Sequence, residues 1–421
     1  MLKKAQHAVG GEAVELTRLD NGVEILSLAL PHTQSVALGF WIENGSRHQT
    51  AAEDGFAHLL EHMLFKGTPR YSAADLSAAM EPLGGNINAF TDRELTAYHA
   101  TVLGEDLPEA FALMQEMVLH SHLSADELRL EKSVVAQEVA MVAEDPEDWV
   151  QEQLSRRIWG DDPLGWPILG RSSVIRRASR RRLLDYYRRH YVGSRIKIVA
   201  AGRVAHDGLV ALASRELGDL PRGEGVPPCV PPVFQAGEQV QHRHTFQAHL
   251  AWAAEGFAVD TPDYYRASLA NLILGGSSGS RLFRQIRERL GLAYSVYSHL
   301  EFYRDTGEWR LYAGTERSNW RRCAAEVEQV LAELAAQGPA PEELERGRRH
   351  LRAQLLMSLE DVEVRMTRLA RQWIYLGRLV PAEESLDALA AVDAEGVRSL
   401  VEDRWGRRYR FLCLPEKGGA A

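Results

Sequence analysis

His58, Glu61 and His62 are the residues of this chain whose types and spacing could do chemistry. Residues four apart lie one above the other on a helix, so a helix over 58–62 aims two imidazoles at one point. Two such imidazoles form half of a metal site. Glu61 stands one turn from His58 and next to His62, where a carboxylate could act as a general base. The surroundings predict that helix. Phe56, Leu59, Leu60, Met63 and Leu64 make an apolar stripe, and the three polar residues fall on the opposite face. Asp54 is expected to cap the start, and Gly67 and Pro69 to end it.

The H-x-x-E-H order is that of inverted zinc-peptidase motifs. Catalytic zinc keeps three protein ligands and one open position, so a third ligand is expected far along the chain. The best segment begins at the capping box Ser124-Ala125-Asp126-Glu127. Glu131 and Glu138 follow, two turns apart on one helix face, in company made apolar by Val134, Val135, Val139 and Val142. A carboxylate amid that much Val costs several kcal/mol to bury unless it meets a cation.

At 421 residues, two or more domains are expected. The stretch 220–236 is rich in Pro and Gly and reads as a linker between residues 1–219 and 237–421. Strand-like runs at 23–28, 35–42, 95–103, 196–201, 250–254, 307–313 and 409–414 alternate with helical patterns. They predict an α+β fold with helices on one face of a largely antiparallel sheet in each half. The halves look like diverged copies at an offset of 216: 124–128 matches 340–344, and Met141 meets Met357. Glu138 then meets Gln354 and Glu131 meets Gly347, so a single metal per chain is expected.

The net charge of −9 argues against general nucleic-acid binding. The basic run at 176–189 reads as the solvated face of a helix whose apolar face is Leu183, Leu184 and Tyr187. Cys229, Cys323 and Cys413 form no C-x-x-C pair, which fits a reducing, cytoplasmic setting. Met1 to His7 are followed by no apolar run, so neither a secretory signal nor a membrane span is expected. His120 and His122, adjacent to a cap, read as solvated, and His242 and His244 alternate on a possible strand with no carboxylate spaced to complete a metal site. The turn Gly84-Gly85 precedes Asn88, Ala89 and Phe90, an edge strand of small residues suited to pairing with an extended peptide.

Across nearly its whole length the sequence resembles the pitrilysin/insulinase-type zinc peptidases, in particular the mitochondrial-processing-peptidase-like branch with bacterial members. The matching segments are 19–23, 41–47, 58–68, 84–91, 163–170, 275–283 and 286–294. The resemblance implies one Zn2+ held by His58, His62 and Glu138, with Glu61 as the base and Glu131 supporting a ligand. It implies that Arg287 and Tyr294, seven apart, bind the substrate carbonyl. It places acids for a basic substrate side chain at Asp148 and Glu152. It departs near 191–194, where the usual Asn is replaced, and at Gly279. The expected protein is a zinc endopeptidase acting on peptides or presequence-like segments in a chamber, as a homodimer. Two rivals are a non-catalytic core subunit of the same fold and a catalytic subunit paired with a zinc-less homologue; the intact His58, Glu61, His62 and Glu138 favour the enzyme.

Overall fold

The computed structural model describes residues 3–9 and 12–416, so Met1 and Leu2 of the N-terminal segment lie outside the described residues. Two sheets organise the chain. The first is built from β1 (Lys3–Val9), β2 (Glu12–Arg18), β3 (Glu24–Ala29), β4 (Ser35–Ile42), β5 (Asn88–Thr91), β6 (Thr96–Leu103) and β7 (Ile196–Gly202). The second is built from β8 (Gly237–Arg243), β9 (Gln247–Glu255), β10 (Ala293–Phe302), β11 (Gly307–Glu316) and β12 (Arg408–Pro415). The helices that matter here are α1 (Phe56–Leu64), α2 (Ala125–Glu144), α3 (Pro146–Trp159), α4 (Arg180–His190), α5 (Tyr264–Leu274), α6 (Pro341–Ser358) and α7 (Val362–Leu376).

The strand orders reveal a repeat. The first sheet runs β1-β2-β3-β7-β4-β6-β5 and the second runs β10-β11-β9-β12-β8. Read from β8, the second sheet has the order of the first without its β1–β2 hairpin. The pairing sense agrees too. β3–β7 and β8–β12 are parallel, and the remaining pairs are antiparallel. This is the α+β pair of similar halves expected from the sequence.

The packing units are not two continuous segments. The first comprises the chain up to Ala140, Trp166–Pro228 and Leu356–Ala382; the second comprises Met141–Gly165, Cys229–Leu355 and the chain from Glu383. A cut at 220–236 alone therefore does not describe them, because each unit contains one helix from the opposite half of the chain. The central strands require it. In β4, Val36, Leu38, Phe40 and Ile42 pack into the core shared with α1, while Ala37 and Trp41 pack with Met366 and Leu369 of α7. Trp41 Nε1 donates to Met366 Sδ at 3.2 Å. In β9, Leu250, Trp252 and Ala254 pack with α5, while Ala251 and Ala253 pack with Val150, Leu154 and Ile158 of α3. A strand buried on both faces reads as a continuous apolar run, as both of these do. The exchanged helices even start alike. Asp145 caps α3 through the N–H groups of Glu147 and Asp148, and Asp361 caps α7 through those of Glu363 and Val364.

The basic run forms α4, preceded by a short helix over Ser172–Arg177, with Leu183 and Tyr186 buried. Two of its arginines are engaged by other segments: Arg180 donates to Leu123 O and Arg189 pairs with Glu53. Cys323 and Cys413 are buried, and none of the three cysteines forms a disulfide. Among the described residues no helix is long and apolar enough to cross a membrane.

Candidate metal centre

Helix α1 sits where its sequence predicts, with Phe56, Ala57, Leu59, Leu60, Met63 and Leu64 buried. Its start differs from expectation. The capping position is Gly55, in the left-handed region at φ 86°, and a Cβ there would lie 2.6 Å from Leu169 O. Gln49 Oε1 accepts the Phe56 N–H at 2.7 Å. Asp54 does not cap α1; its carboxylate is committed to Arg171, with Nε–Oδ2 at 2.5 Å. A guanidinium more than a hundred residues away outcompetes the local cap because a buried carboxylate is best satisfied by an opposite charge.

The polar face of α1 meets α2. Glu138 Oε2 lies 3.8 Å from His58 Nε2 and 3.6 Å from His62 Nε2. Those separations are too long for hydrogen bonds. A tetrahedral ion bound at about 2.0–2.1 Å sets its ligand atoms roughly 3.4 Å apart, so each of these two separations needs to close by only a few tenths of an ångström to hold one. Glu138 Oε2 is moreover buried with no hydrogen-bond partner. An acceptor left so, facing two ring nitrogens, fits a cation. Among the described residues, His58, His62 and Glu138 are the group of three or more such side chains that could hold a metal.

The remaining contacts orient this trio. Glu131 is buried, and its Oε2 accepts from His62 Nδ1 at 3.0 Å. Donation from Nδ1 leaves the Nε2 lone pair directed toward Glu138. Lys66 Nζ meets the other Glu131 oxygen at 2.8 Å. Burial, and secondarily the neighbouring His62, pushes the His58 imidazole down to about 4, so it is a neutral donor at pH 7. Burial holds the Glu61 carboxyl above its ordinary range, opposed by a hydrogen bond from Thr91 Oγ1 to Glu61 Oε2.

Lys66 and Thr91 are the contacts that sequence reasoning missed. Lys66 stands four residues after His62, a spacing that could have flagged it. Thr91 closes β5, where only the backbone had been considered. The valines of α2 were also over-read, for Val135 is buried but Val134 is 39% exposed. Asn88, Ala89 and Phe90 form β5, which pairs with β6 on one side and ends the sheet. Asp148, Glu152, Arg287 and Tyr294 belong to the second unit. Asp148 and Glu152 lie on α3; burial and then Asp145 raise the Asp148 carboxyl. Arg287, in a π-helical turn over Phe283–Arg289, stacks its guanidinium 4.4 Å from the ring centroid of Tyr294, a residue 76% exposed on β10. His242 lies on β8 beside Pro415 O.

Comparison with known proteins bears on this geometry. The family description "Insulinase (Peptidase family M16)" matches residues 24–172, and "Peptidase M16 inactive domain" matches residues 177–351. The chain is 33% identical to the uncharacterized zinc protease YmxG of Bacillus subtilis over 398 residues, 94% of this chain and 97% of that protein. It is 35% identical to an uncharacterized zinc protease of Mycobacterium tuberculosis over 409 residues, 96% of this chain and 93% of the other. The chain belongs to the insulinase-type M16 peptidase family. Solved M16-like structures share the fold. A peptidase M16 inactive domain from Pseudomonas fluorescens superposes with a TM-score of 0.90 at 21% identity, covering 97% of this chain and 100% of that one. A protease from Helicobacter pylori gives 0.87 at 18% identity, covering 96% and 99%.

Proposed function

We propose that this M16 family member is a zinc-dependent endopeptidase that cleaves extended peptides or presequence-like unfolded segments in an enclosed chamber, with one Zn2+ per chain. The observation that carries the reading is the unsatisfied Glu138 Oε2 facing His58 Nε2 and His62 Nε2, with Glu61 on the same helix face. The names of the relatives, zinc proteases, support it.

His58, His62 and Glu138 would hold the ion, and a bound zinc would polarise the scissile carbonyl and make a water acidic near neutral pH. The rest is work for the protein's own groups. Glu61 takes the proton of the attacking water and delivers it to the departing amine nitrogen. Glu131 keeps His62 in the tautomer that leaves Nε2 free, and Lys66 holds Glu131 in place. The open edge of β5, Asn88 to Thr91, aligns the substrate backbone by strand addition, which tolerates many side chains. Asp148 and Glu152 favour a basic substrate side chain. In a homodimer, Arg287 and Tyr294 from one chain serve the substrate carbonyl at the partner's zinc; in a heteromer, the zinc-less homologue supplies the corresponding groups to this chain's zinc.

Metal analysis of the purified chain, paired with hydrolysis of a quenched-fluorescence peptide, tests the reading. Stoichiometric zinc and chelator-sensitive cleavage are expected; a chain that binds no zinc and cleaves nothing overturns it. Co-refolding Glu61→Gln with Tyr294→Phe tests the shared site. Random pairing makes about half the dimers mixed, each with one intact site of two, so roughly a quarter of wild-type activity should return. No return rules the shared site out.

A further inference from the structure

Glu61 has two carboxylate oxygens, and they are not equivalent. Oε2 accepts a hydrogen bond from Thr91 Oγ1, the last residue of the edge strand β5. The direction of that bond follows from its neighbours. Thr91 pairs across the ladder with Thr96, and their hydroxyl oxygens are 3.4 Å apart. Thr96 already donates to Asn44 O at 2.8 Å, so its proton is committed. The single Thr91 proton is left for Glu61. The strand enforces the meeting. Successive residues of β5 face opposite sides: Phe90 packs toward Trp41, with ring centroids 5.6 Å apart, while Ala89 packs into the core that contains α1. Thr91 shares the parity of Ala89 and so points at α1.

We infer that the Thr91 hydroxyl is a positioning group for the Glu61 carboxylate, occupying Oε2 so that Oε1 alone is presented for proton transfer. The inference rests on the peptidase reading above. It gives β5 two linked tasks, because the strand whose free edge can pair with a peptide backbone also fixes the base. A carboxylate held by one oxygen has one productive rotamer, and restricting a reacting group in this way acts on the chemical step rather than on ground-state binding.

The rival account makes Thr91 a β-branched strand residue chosen for its pairing with Thr96. Thr91→Val keeps that shape and removes the hydroxyl; Thr91→Ser keeps the hydroxyl and removes the branch. Losing one hydrogen bond to a charged group should lower kcat about tenfold to a hundredfold in Thr91→Val, with KM within about threefold and zinc content unchanged. Thr91→Ser should stay within about threefold of wild type. A second readout needs no turnover. The carboxylate infrared band of Glu61, assigned in the zinc-free protein by its loss in Glu61→Gln, should shift in Thr91→Val and not in Thr91→Ser. An unmoved band overturns the inference, as does an unchanged kcat, a change confined to KM, or equal damage in the two variants. A wild type that cleaves no peptide while the band still moves overturns the peptidase reading and leaves the Thr91–Glu61 contact standing.

Discussion

Apart from the β1–β2 hairpin of the first, the two units share a strand order, and they contrast in one helix pair. In the first, α1 follows β4 and turns His58 and His62, four apart, toward Glu138 and Glu131 of α2. In the second, α5 follows β9 and carries no His, Cys, Asp or Glu at all. Leu269 and Ile273, also four apart, face α6 instead. A Cβ added to Gly347, the counterpart of Glu131, would sit 2.5 Å from Leu269 Cδ1 and 3.6 Å from Ile273 Cγ1. The same scaffold position thus holds a polar cluster in one copy and a close apolar contact in the other. Once Gly347 lets the helices close up, no volume remains for a carboxylate. The second copy has exchanged chemistry for packing, and its scaffold is intact.

The sharpest way to break this contrast is at the base. Glu61→Gln should keep zinc and lower peptide hydrolysis by about a hundredfold to ten-thousandfold, because the ligand atoms remain while no group accepts the proton. Zinc content and turnover measured on one preparation decide it; normal turnover would remove Glu61 from the mechanism.

The ligand contrast is next. Glu138→Gln should weaken zinc binding far more than Gln354→Ala, which should leave it unchanged. Glu131→Gln should fall between, about tenfold to a hundredfold in affinity, because it disturbs a ligand's orientation rather than a ligand. Competition with a chelator measures all three. Equal affinity in wild type and Glu138→Gln would mean that the metal, if bound, is held elsewhere.

How much of this was legible in the sequence follows the range of the forces involved. The face of α1 was readable because helical periodicity puts Phe56 and Met63 inward and His58 and His62 outward without outside help. The strand at 35–42 matched β4 end for end, since a continuous apolar run admits few alternatives. The partnership of Glu131 and Glu138 with α1 could be inferred because two imidazoles on one helix face call for a carboxylate, although the apolar residues buried on α2 are Leu128 and Val135 alone. Asp54 misled, because its partner Arg171 is distant in sequence and no local pattern announces it. Thr91 was silent for the same reason, thirty residues from Glu61. The helix exchange was also hidden. The pattern of α7 says that one face is apolar, and nothing in it says which sheet that face will cover.

The shared scaffold predicts equal penalties where the chemistry is unequal. Met366 and Leu154 are both fully buried, one on each exchanged helix. Met366→Ala and Leu154→Ala should each cost about 2–5 kcal/mol by the cavity they leave, read from denaturant unfolding. A loss well below that in either would mean that the exchanged helix is ornamental in that unit.

Acid should act on both units, and zinc should shield one. Burial lowers His58 in the first unit to about 4, and burial, then Arg310, lowers His299 in the second to about 4. An unfolded histidine protonates near 6.5, so between those values the unfolded chain binds protons that the folded one refuses. Stability is therefore present above about pH 6.5 and lost as pH falls toward 4, by roughly 3 kcal/mol per histidine. Binding zinc to His58 should restore resistance in the first unit only. Urea unfolding near pH 7 and near pH 5, with and without zinc, checks it, using Trp41 and Trp309, one buried in each unit, as reporters through their Phe variants. Zinc that protected both units equally would mean that they unfold as one.

The smallest effect concerns specificity, and it tests whether the second unit retains any part in the reaction. Asp148 and Glu152 lie on α3, the helix that the first half of the chain contributes to the second unit. Burial and Asp145 raise the Asp148 carboxyl above its ordinary range, so a partner cation would be favoured by charge as well as by hydrogen bonding. If the two acids receive a basic substrate side chain, Asp148→Asn with Glu152→Gln should lower kcat/KM several-fold, up to about tenfold, for peptides with Arg near the scissile bond. Neutral peptides should be spared, and the loss should shrink as salt screens the pair. Paired Arg and norleucine peptides, assayed at two ionic strengths, measure the difference directly. The Asp145 cap and the apolar face of α3 are untouched by these substitutions. An unchanged Arg preference would return both acids to the role of solvated helix residues, and the second unit's share in substrate choice would then have to be sought at Arg287 and Tyr294.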